Sequence, residues 1–272
     1  MKSTAEKYQH LQQLLARLDK VAVAFSAGVD SSFLLQVAAD QLGCEQVLAL
    51  TAVSDFFPDN ERGSCRQLAK QIGVPWQQIE VDLLALPDVK ANSSQRCYYC
   101  KRELFQRLQK AATRAGYPRL LDGSNLDDLD DYRPGRQALT ELQIMSPLLE
   151  AGLTKQEIRE LSHTLGLPTW NKPAFACLAS RIPYGTELER RQLQQVARCE
   201  GWLRQQGFKN YRVRHHQQLA RIELVEADIS RLLDPQLRQQ LVATCKNAGF
   251  TYVTLDLQGY RTGSLNETLT KD

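Results

Sequence analysis

The chain has 272 residues, 43% of them hydrophobic and 24% charged, with a formal net charge of +3. Such a length carries one large domain or a large and a small one with a real core, and such a balance excludes a disordered or membrane-embedded chain. The mild charge singles out no nucleic-acid binder, and seven cysteines, an odd count without an export signal, favour metal or catalytic use over a disulfide framework.

From Met1 to Lys20 the sequence is a polar, leucine-punctuated helix pattern. It has no apolar stretch of the secretory kind, and no run in the chain reaches the roughly 18 apolar residues of a membrane span, so a cytoplasmic location is expected. The apolar runs VAVAF (21–25), VLALT (47–51) and WQQIEV (76–81) alternate with amphipathic stretches through 42 and over 61–72. This spacing predicts βαβαβ. A helix pattern over 103–115 leads to RLLDG (119–123), and another over 155–165 follows SPLL (146–149). The expected fold class is therefore α/β, a parallel sheet with helices on both faces.

Between Pro168 and Gly185 the period stops in PTWNKPAFACLASRIPYG, which carries three prolines and reads as an ordered functional loop and linker. Beyond it, a polar helix over 187–206, strands YRVRHH and ARIELV, a helix over 227–249 and the strand TYVTLDL describe a small α+β domain. The expected division is 1–170, a nucleotide-binding domain; 171–185, a cysteine-bearing loop; and 186–272, a small domain for substrate binding and oligomerisation.

The segment VAVAFSAGVDSS (21–32) runs from an apolar strand through a small-residue turn into a helix. Such a corner aims unpaired backbone N–H groups and the positive end of a helix dipole at an anion. Ser26, Gly28, Ser31 and Ser32 would line it, and Asp30 can either hold a magnesium ion or orient the loop. No GxxxxGK[ST] is present, so this is not the ordinary P-loop. The segment resembles the SGGxDS signature of the PP-loop ATP pyrophosphatases, in which the loop grips the departing pyrophosphate. Ala27 stands where that signature has a second glycine, a replacement expected to require negative φ. A second cluster, DGSNLDDLDDYRPG (122–135), follows another strand and should lie at the same carboxyl edge. Gly123, Asn125, Asp127 and Asp128 are its candidates for nucleotide or magnesium contact; an acidic helix start is the plainer reading.

Cys97 and Cys100 form RCYYCK, and Cys177 lies in FACLASR. Three thiolates suit an iron–sulfur cluster with one open iron or a zinc ion with one exchangeable position; a redox pair and packed thiols are the other readings. Cys44, Cys65, Cys199 and Cys245 read as core residues. Lys101 either offsets cluster or nucleotide charge or is a surface lysine. In YRVRHH, strand alternation puts Arg212 and Arg214 on one face, a spacing fit to clamp a phosphate, against the alternative of a solvated sheet face. The neighbouring His215 and His216 are not read as metal ligands.

Taken together, SAGVDSS, DGSNLDDLDDYRPG, FACLASRIPYG, YRVRHHQQLARIEL and GYRTGSLNE resemble the LarE family of sulfur transferases over nearly the whole chain. The resemblance implies ATP as co-substrate, Mg²⁺, and a pyridinium dicarboxylic acid mononucleotide whose carboxylate is adenylated with release of pyrophosphate before sulfur displaces AMP. It implies that Arg212 and Arg214 bind the substrate phosphate and that Ser180 and Arg181 sit beside the reactive Cys177, with Glu200 and Glu223 as further carry-overs. Some members use the cysteine matching Cys177 as a sacrificial donor, and others carry three cysteines and a 4Fe-4S cluster. Because Cys97, Cys100 and Cys177 are all present, the cluster type is expected, with sulfide carried on its unique iron. A homo-oligomer such as a hexamer, a sulfide or other sulfur donor, and no nucleic-acid or membrane partner complete the expectation. The rival readings are a tRNA-thiolating or amidating enzyme of the same fold and a non-enzymatic iron–sulfur or zinc protein.

Overall fold

A computed structural model describes residues 2–57, 59–129, 135–173, 177–261 and 263–268. The chain forms two compact units, Met1–Ser54 with Asp59–Leu83 and Cys97–Phe175, and Asp55–Pro58 with Leu84–Arg96 and Ala176–Asp272.

The first unit is built on four parallel strands in the order β3-β2-β1-β4, with β1 Val21–Ala24, β2 Val47–Val53, β3 Trp76–Glu80 and β4 Arg119–Leu121. The α/β fold expected from the alternation is the fold observed. Helix α1 (Thr4–Ala16) precedes β1; α2 (Val29–Leu42) and α3 (Asp59–Ile72) make the crossovers β1 to β2 and β2 to β3. Helix α2 is buried through Val29, Phe33, Leu34, Leu35 and Val37, as befits a helix apolar around most of its circumference. On the sheet, Ala22, Leu48, Leu50 and Leu120 form one buried cluster with Phe105, Leu108 and Ala112 of α5 (Arg96–Arg114) and Leu139 of α6 (Gly135–Glu141). The short α4 (Pro87–Lys90) belongs to the second unit. After β3, the chain crosses to the far side of β1 to make β4, so the strand order reverses between β1 and β4. Ligands bind outside the carboxyl ends of strands at such a reversal.

Three local expectations are corrected. The run SPLL is no strand: the sheet is extended by a parallel bridge at Met145, and Pro147–Glu150 is a helical turn, α7, with proline at its first position, where a missing N–H costs nothing. Helix α5 starts at Arg96 and not near 103, which places the CxxC pair on its first turn. The helix expected over 227–249 is two, α10 (Glu226–Leu232) and α11 (Pro235–Ala248), because Asp234 accepts from the N–H groups of Gln236 and Leu237 at 3.0 Å and Pro235 restarts the helix. Helix α8 (Lys155–Thr164) closes the first unit's helical set and starts with a capping box between Thr154 and Glu157.

The second unit carries a three-stranded sheet, β5 (Tyr211–His216) antiparallel to β6 (Leu219–Leu224), and β6 parallel to β7 (Tyr252–Leu255). Helix α9 (Arg190–Gln205) packs on β5 and on α11 through Leu193, Val196, Cys199 and Leu203, with Leu241 and Cys245 also buried. No helix among the described residues is long and apolar enough to cross a membrane.

Candidate active site

Strand β1 delivers the chain into the turn Phe25–Gly28. Phe25 N–H bonds the carbonyl of Leu50 at 2.9 Å, and the Thr51 hydroxyl donates to the Phe25 carbonyl at 2.8 Å, so the turn starts from a fixed point. Ser31 Oγ lies 3.3 Å from Ser26 N and 3.2 Å from Ser26 Oγ, folding the turn over the start of α2. Gly28 is the N-cap of α2 and offers no side-chain cap, so the first N–H groups of the helix keep no side-chain acceptor at that position. The Ser32 hydroxyl is buried and has no hydrogen-bond partner among the described residues. A corner of uncapped N–H groups and a buried orphan hydroxyl fits a phosphate group.

Ala27 corrects the sequence expectation, because its φ is +51° and not negative. The turn needs the left-handed conformation there, and the alanine adopts it at a cost of about 1–2 kcal/mol. Its carbonyl accepts from Lys172 Nζ at 3.0 Å, and the same ammonium pairs with Glu61 Oε2 at 2.6 Å.

The exit of β4 closes the other side. Asp122 is buried and accepts from the hydroxyls of Ser124 and Ser146, which pins the start of the loop. A Cβ on Gly123 would stand 3.1 Å from Ser31 N and 3.3 Å from Asp30 Cβ, so a side chain there would push the two loops apart. Asn125 Nδ2 donates to Asp30 Oδ1 at 3.2 Å, and the other oxygen of Asp30 pairs with Lys155 Nζ. Asp127 accepts from Lys155 N at 2.9 Å, and Asp128 from Asn125 N at 3.0 Å. Ser26, Gly28, Asp30, Ser31, Ser32, Gly123, Asn125, Asp127 and Asp128 therefore belong to one interlocked set. Asp130 to Pro134 of the acidic segment lie outside the described residues.

A nucleotide-bound magnesium ion usually takes one or two protein carboxylates and otherwise phosphate and water oxygens, and Asp30, the carboxylate at the start of α2, is engaged by Asn125 and Lys155. Its present partner, Lys155, would have to give way. Among the described residues no group of three or more His, Cys, Asp and Glu side chains is gathered to hold a metal.

In the second unit, Arg181 forks onto Glu200, with Nε to Oε1 at 2.7 Å and Nη2 to Oε2 at 3.0 Å. Glu200 Oε1 also accepts from Val213 N at 3.0 Å, locking the pair to β5. Arg214 forks onto Glu223 at 2.9 Å twice, and donates to the Ser180 carbonyl at 2.8 Å and to Ser264 Oγ at 2.7 Å. Arg212 differs from both. It lies over the Tyr260 ring at 4.9 Å, donates to Tyr260 Oη at 3.2 Å and to the Tyr211 carbonyl, and has no carboxylate partner among the described residues. Burial first, and the neighbouring Arg181 guanidinium second, pull its pKa below the ordinary arginine value. An anion received beside Arg212 would relieve both. Ser180 Oγ donates to the Cys177 carbonyl at 2.7 Å and lies 2.7 Å from Arg181 Nη1.

No family model matches the chain. It is 44% identical to an uncharacterized protein of Synechocystis over 97% of this chain and 98% of that one. To the pyridinium-3,5-bisthiocarboxylic acid mononucleotide synthase of Lactiplantibacillus plantarum it is 41% identical over 100% of this chain and 98% of the relative. The chain belongs to the LarE family. An argininosuccinate synthase of Synechococcus is 26% identical over 64% of the LarE chain described here and 44% of its own length. Kinship with a synthase supports an enzymatic role for this LarE protein.

Cys97 and Cys100 of the LarE chain sit at i and i+3 on the first turn of α5, a spacing that puts both thiols on one face about 5–6 Å apart at Cβ. Cys97 is exposed, and Cys100 and Cys177 are half-buried. Cys65 and Cys199 are buried, and burial pushes the Cys65 thiol up to about 11. Lys155 and Lys172 were not singled out from sequence. They come to the phosphate turn on α8 and on the proline-rich loop, more than a hundred residues away, and the only sequence hint is that this loop follows the carboxyl edge of the sheet.

Proposed function

We propose that the chain is an ATP-dependent sulfur transferase that converts a carboxylate of a pyridinium dicarboxylic acid mononucleotide to a thiocarboxylate for nickel-pincer nucleotide synthesis. The observation that carries this reading is the corner at residues 26–32, whose uncapped helix start and orphan Ser32 hydroxyl suit the pyrophosphate of ATP.

A substrate carboxylate oxygen forms a bond to the α-phosphorus, and the bond from that phosphorus to the bridging oxygen breaks, so pyrophosphate leaves with the electron pair. Negative charge grows on the leaving group. The N–H groups at the start of α2, Ser32, Lys155 and Lys172 stabilise it more than the ground state. Mg²⁺ held by Asp30 would neutralise phosphate charge. A sulfur nucleophile then bonds to the acyl carbon as its bond to AMP breaks. Arg212 and Arg214 bind the mononucleotide phosphate, with Arg214 oriented by Glu223 and Arg181 by Glu200. Cys97, Cys100 and Cys177 would hold a 4Fe-4S cluster, which supplies sulfide, so that turnover consumes no cysteine. Residues 1–170 carry nucleotide activation, 171–185 the reactive loop, and 186–272 substrate binding and assembly into a homo-oligomer, in the cytoplasm.

Anaerobically purified protein mixed with ATP, Mg²⁺, sulfide and the pyridinium mononucleotide should form AMP, pyrophosphate and thiocarboxylate in equal amounts without added RNA. Pyrophosphate that does not depend on the pyridinium compound sinks the reading. Loss of one cysteine sulfur per product would assign donation to Cys177 instead of the cluster.

A further inference from the structure

Asn92 is fully buried and holds φ at +53°, a left-handed conformation that asparagine tolerates better than other side-chain-bearing residues. Its side-chain amide faces three carbonyls of one loop: Pro183 at 2.8 Å, Thr186 at 3.0 Å and Ile182 at 3.4 Å. Its own carbonyl accepts from Gly185 N at 3.0 Å, and two residues earlier the Lys90 carbonyl accepts from Leu188 N at 2.8 Å. On the other side, Asn92 Oδ1 accepts from Nη1 of buried Arg96, which also donates to the Ala179 carbonyl at 3.0 Å and covers the Tyr184 ring at 5.4 Å.

These bonds fix the backbone at 179, 182, 183, 185 and 186, on both sides of Ser180 and Arg181. The fixed stretch begins two residues after Cys177, whose carbonyl is itself held by the N–H and hydroxyl of Ser180 at 3.0 and 2.7 Å. Buried loop carbonyls need donors, and here one amide and one guanidinium supply most of them. A loop with that much of its backbone spoken for has one conformation, and its first side chain points one way.

We propose that Asn92 and Arg96 are positioning residues for the sulfur-transfer half of the reaction, fixing the turn that presents the Cys177 thiol. This rests on the function proposed above. Neither residue needs to touch nucleotide or substrate; they act through the loop.

The test uses full-length Asn92→Gly, Asn92→Asp and Arg96→Lys. Glycine keeps the left-handed backbone and removes the amide; aspartate keeps the shape and replaces the donor with an acceptor facing three carbonyls. Three quantities are measured: pyrophosphate release and thiocarboxylate formed per pyrophosphate in cluster-loaded protein, and, in protein stripped of iron so that no cluster masks Cys177, the rate at which iodoacetamide alkylates that thiol, followed by peptide mass spectrometry. A misplaced reacting group costs on the order of 10 to 100-fold. Asn92→Gly and Asn92→Asp should therefore lower thiocarboxylate per pyrophosphate at least about tenfold, leave pyrophosphate release within about twofold, and change the Cys177 alkylation rate by several-fold. Arg96→Lys, retaining a cationic donor, should fall between them and the parent. An unchanged product ratio and alkylation rate, or a parallel loss of both half-reactions, overturns the proposal. If an Asn92 variant does not fold, Arg96→Lys decides alone. If the parent protein releases no pyrophosphate, the functional reading fails, and the alkylation rates still decide whether Asn92 and Arg96 set the exposure of Cys177.

Discussion

Lys172 Nζ donates to the carbonyl of Ala27 at 3.0 Å, and Ala27 is the residue of the phosphate turn whose φ is +51°. The lysine thus grips the one strained peptide of the turn from the outside. It cannot remove the strain, which arises between the alanine Cβ and its own backbone. Ala27→Gly should raise the unfolding free energy by about 1 kcal/mol, the left-handed penalty less the extra entropy that glycine loses on folding. The urea midpoint should rise with an unchanged slope. A midpoint that stays put or falls would mean the turn relaxes its strain some other way.

Gly123 faces a steric limit of a different kind, since a Cβ would meet the backbone nitrogen of Ser31 at 3.1 Å. Backbone in the first turn of α2 cannot move aside as a flexible side chain would. Gly123→Ala should cost about 1–3 kcal/mol and weaken ATP binding, as it pushes the β4 exit off the start of the helix. Isothermal titration with ATP beside a urea curve checks this; full nucleotide affinity in the variant would show the loops part without consequence.

Lys155 separates stability from catalysis more cleanly than Lys172. The Lys155–Asp30 pair is part-exposed, with side-chain accessibilities of 28% and 23%, so solvent screening holds it to about 1 kcal/mol or less, whereas Glu61, the partner of Lys172, is buried and loses more with its ammonium. In a closed site the same cations would face growing pyrophosphate charge, where one lost donor costs about 10²–10³ in rate. Lys155→Met should therefore keep nearly the parental urea midpoint and Lys172→Met lower it, while pyrophosphate release falls about 100-fold in both. Equal release by parent and variant would remove the lysines from the chemistry.

Much of this is legible in the sequence. The strand VAVA, the small residues after it and the period-2 placement of Arg212 and Arg214 all depend on near neighbours in sequence. What sequence did not carry was long-range. Lys155 and Lys172 reach the turn from distant elements, and Asn92 looks like an ordinary polar residue in ANSSQRC until Ile182, Pro183 and Thr186 stand around it. The start of α5 is hidden in the sequence because cysteine and tyrosine have modest helix propensity and the apolar period begins only later. Ala27 departs from the expected negative φ because the turn geometry outweighs the cost of a Cβ.

Arg212 and Arg214 share a sheet face yet should respond differently to loss. Arg214 and Glu223 are a buried fork that Arg221 joins at 3.1 Å, so Arg214→Met leaves Glu223 on one part-exposed arginine and should cost about 1.5–3 kcal/mol. Arg212 lacks a carboxylate partner among the described residues, and Arg212→Met should leave stability nearly unchanged while raising the KM for the phosphate-bearing substrate at least tenfold. Urea curves and initial rates on the two variants test this, and a large stability loss for Arg212→Met would place it among the structural arginines.

His215 and His216 give the second unit an acid limit. His215 is buried against Phe250, with Nε2 3.0 Å from Gln195 Oε1 and Nδ1 without a partner among the described residues; burial lowers its pKa below the ordinary 6.5. Burial, then the Arg221 and Arg214 charges, lowers that of His216. A depressed pKa means that the unfolded chain binds protons which the folded one refuses. The stability they contribute is whole above about pH 6.5 and is lost as pH falls from there through the folded values. The urea midpoint should drop between pH 7.5 and 5.5, and His215→Gln should flatten that drop. A midpoint that does not change with pH, or one that rises on acidification, would show that the imidazoles take up protons in the fold as readily as in water.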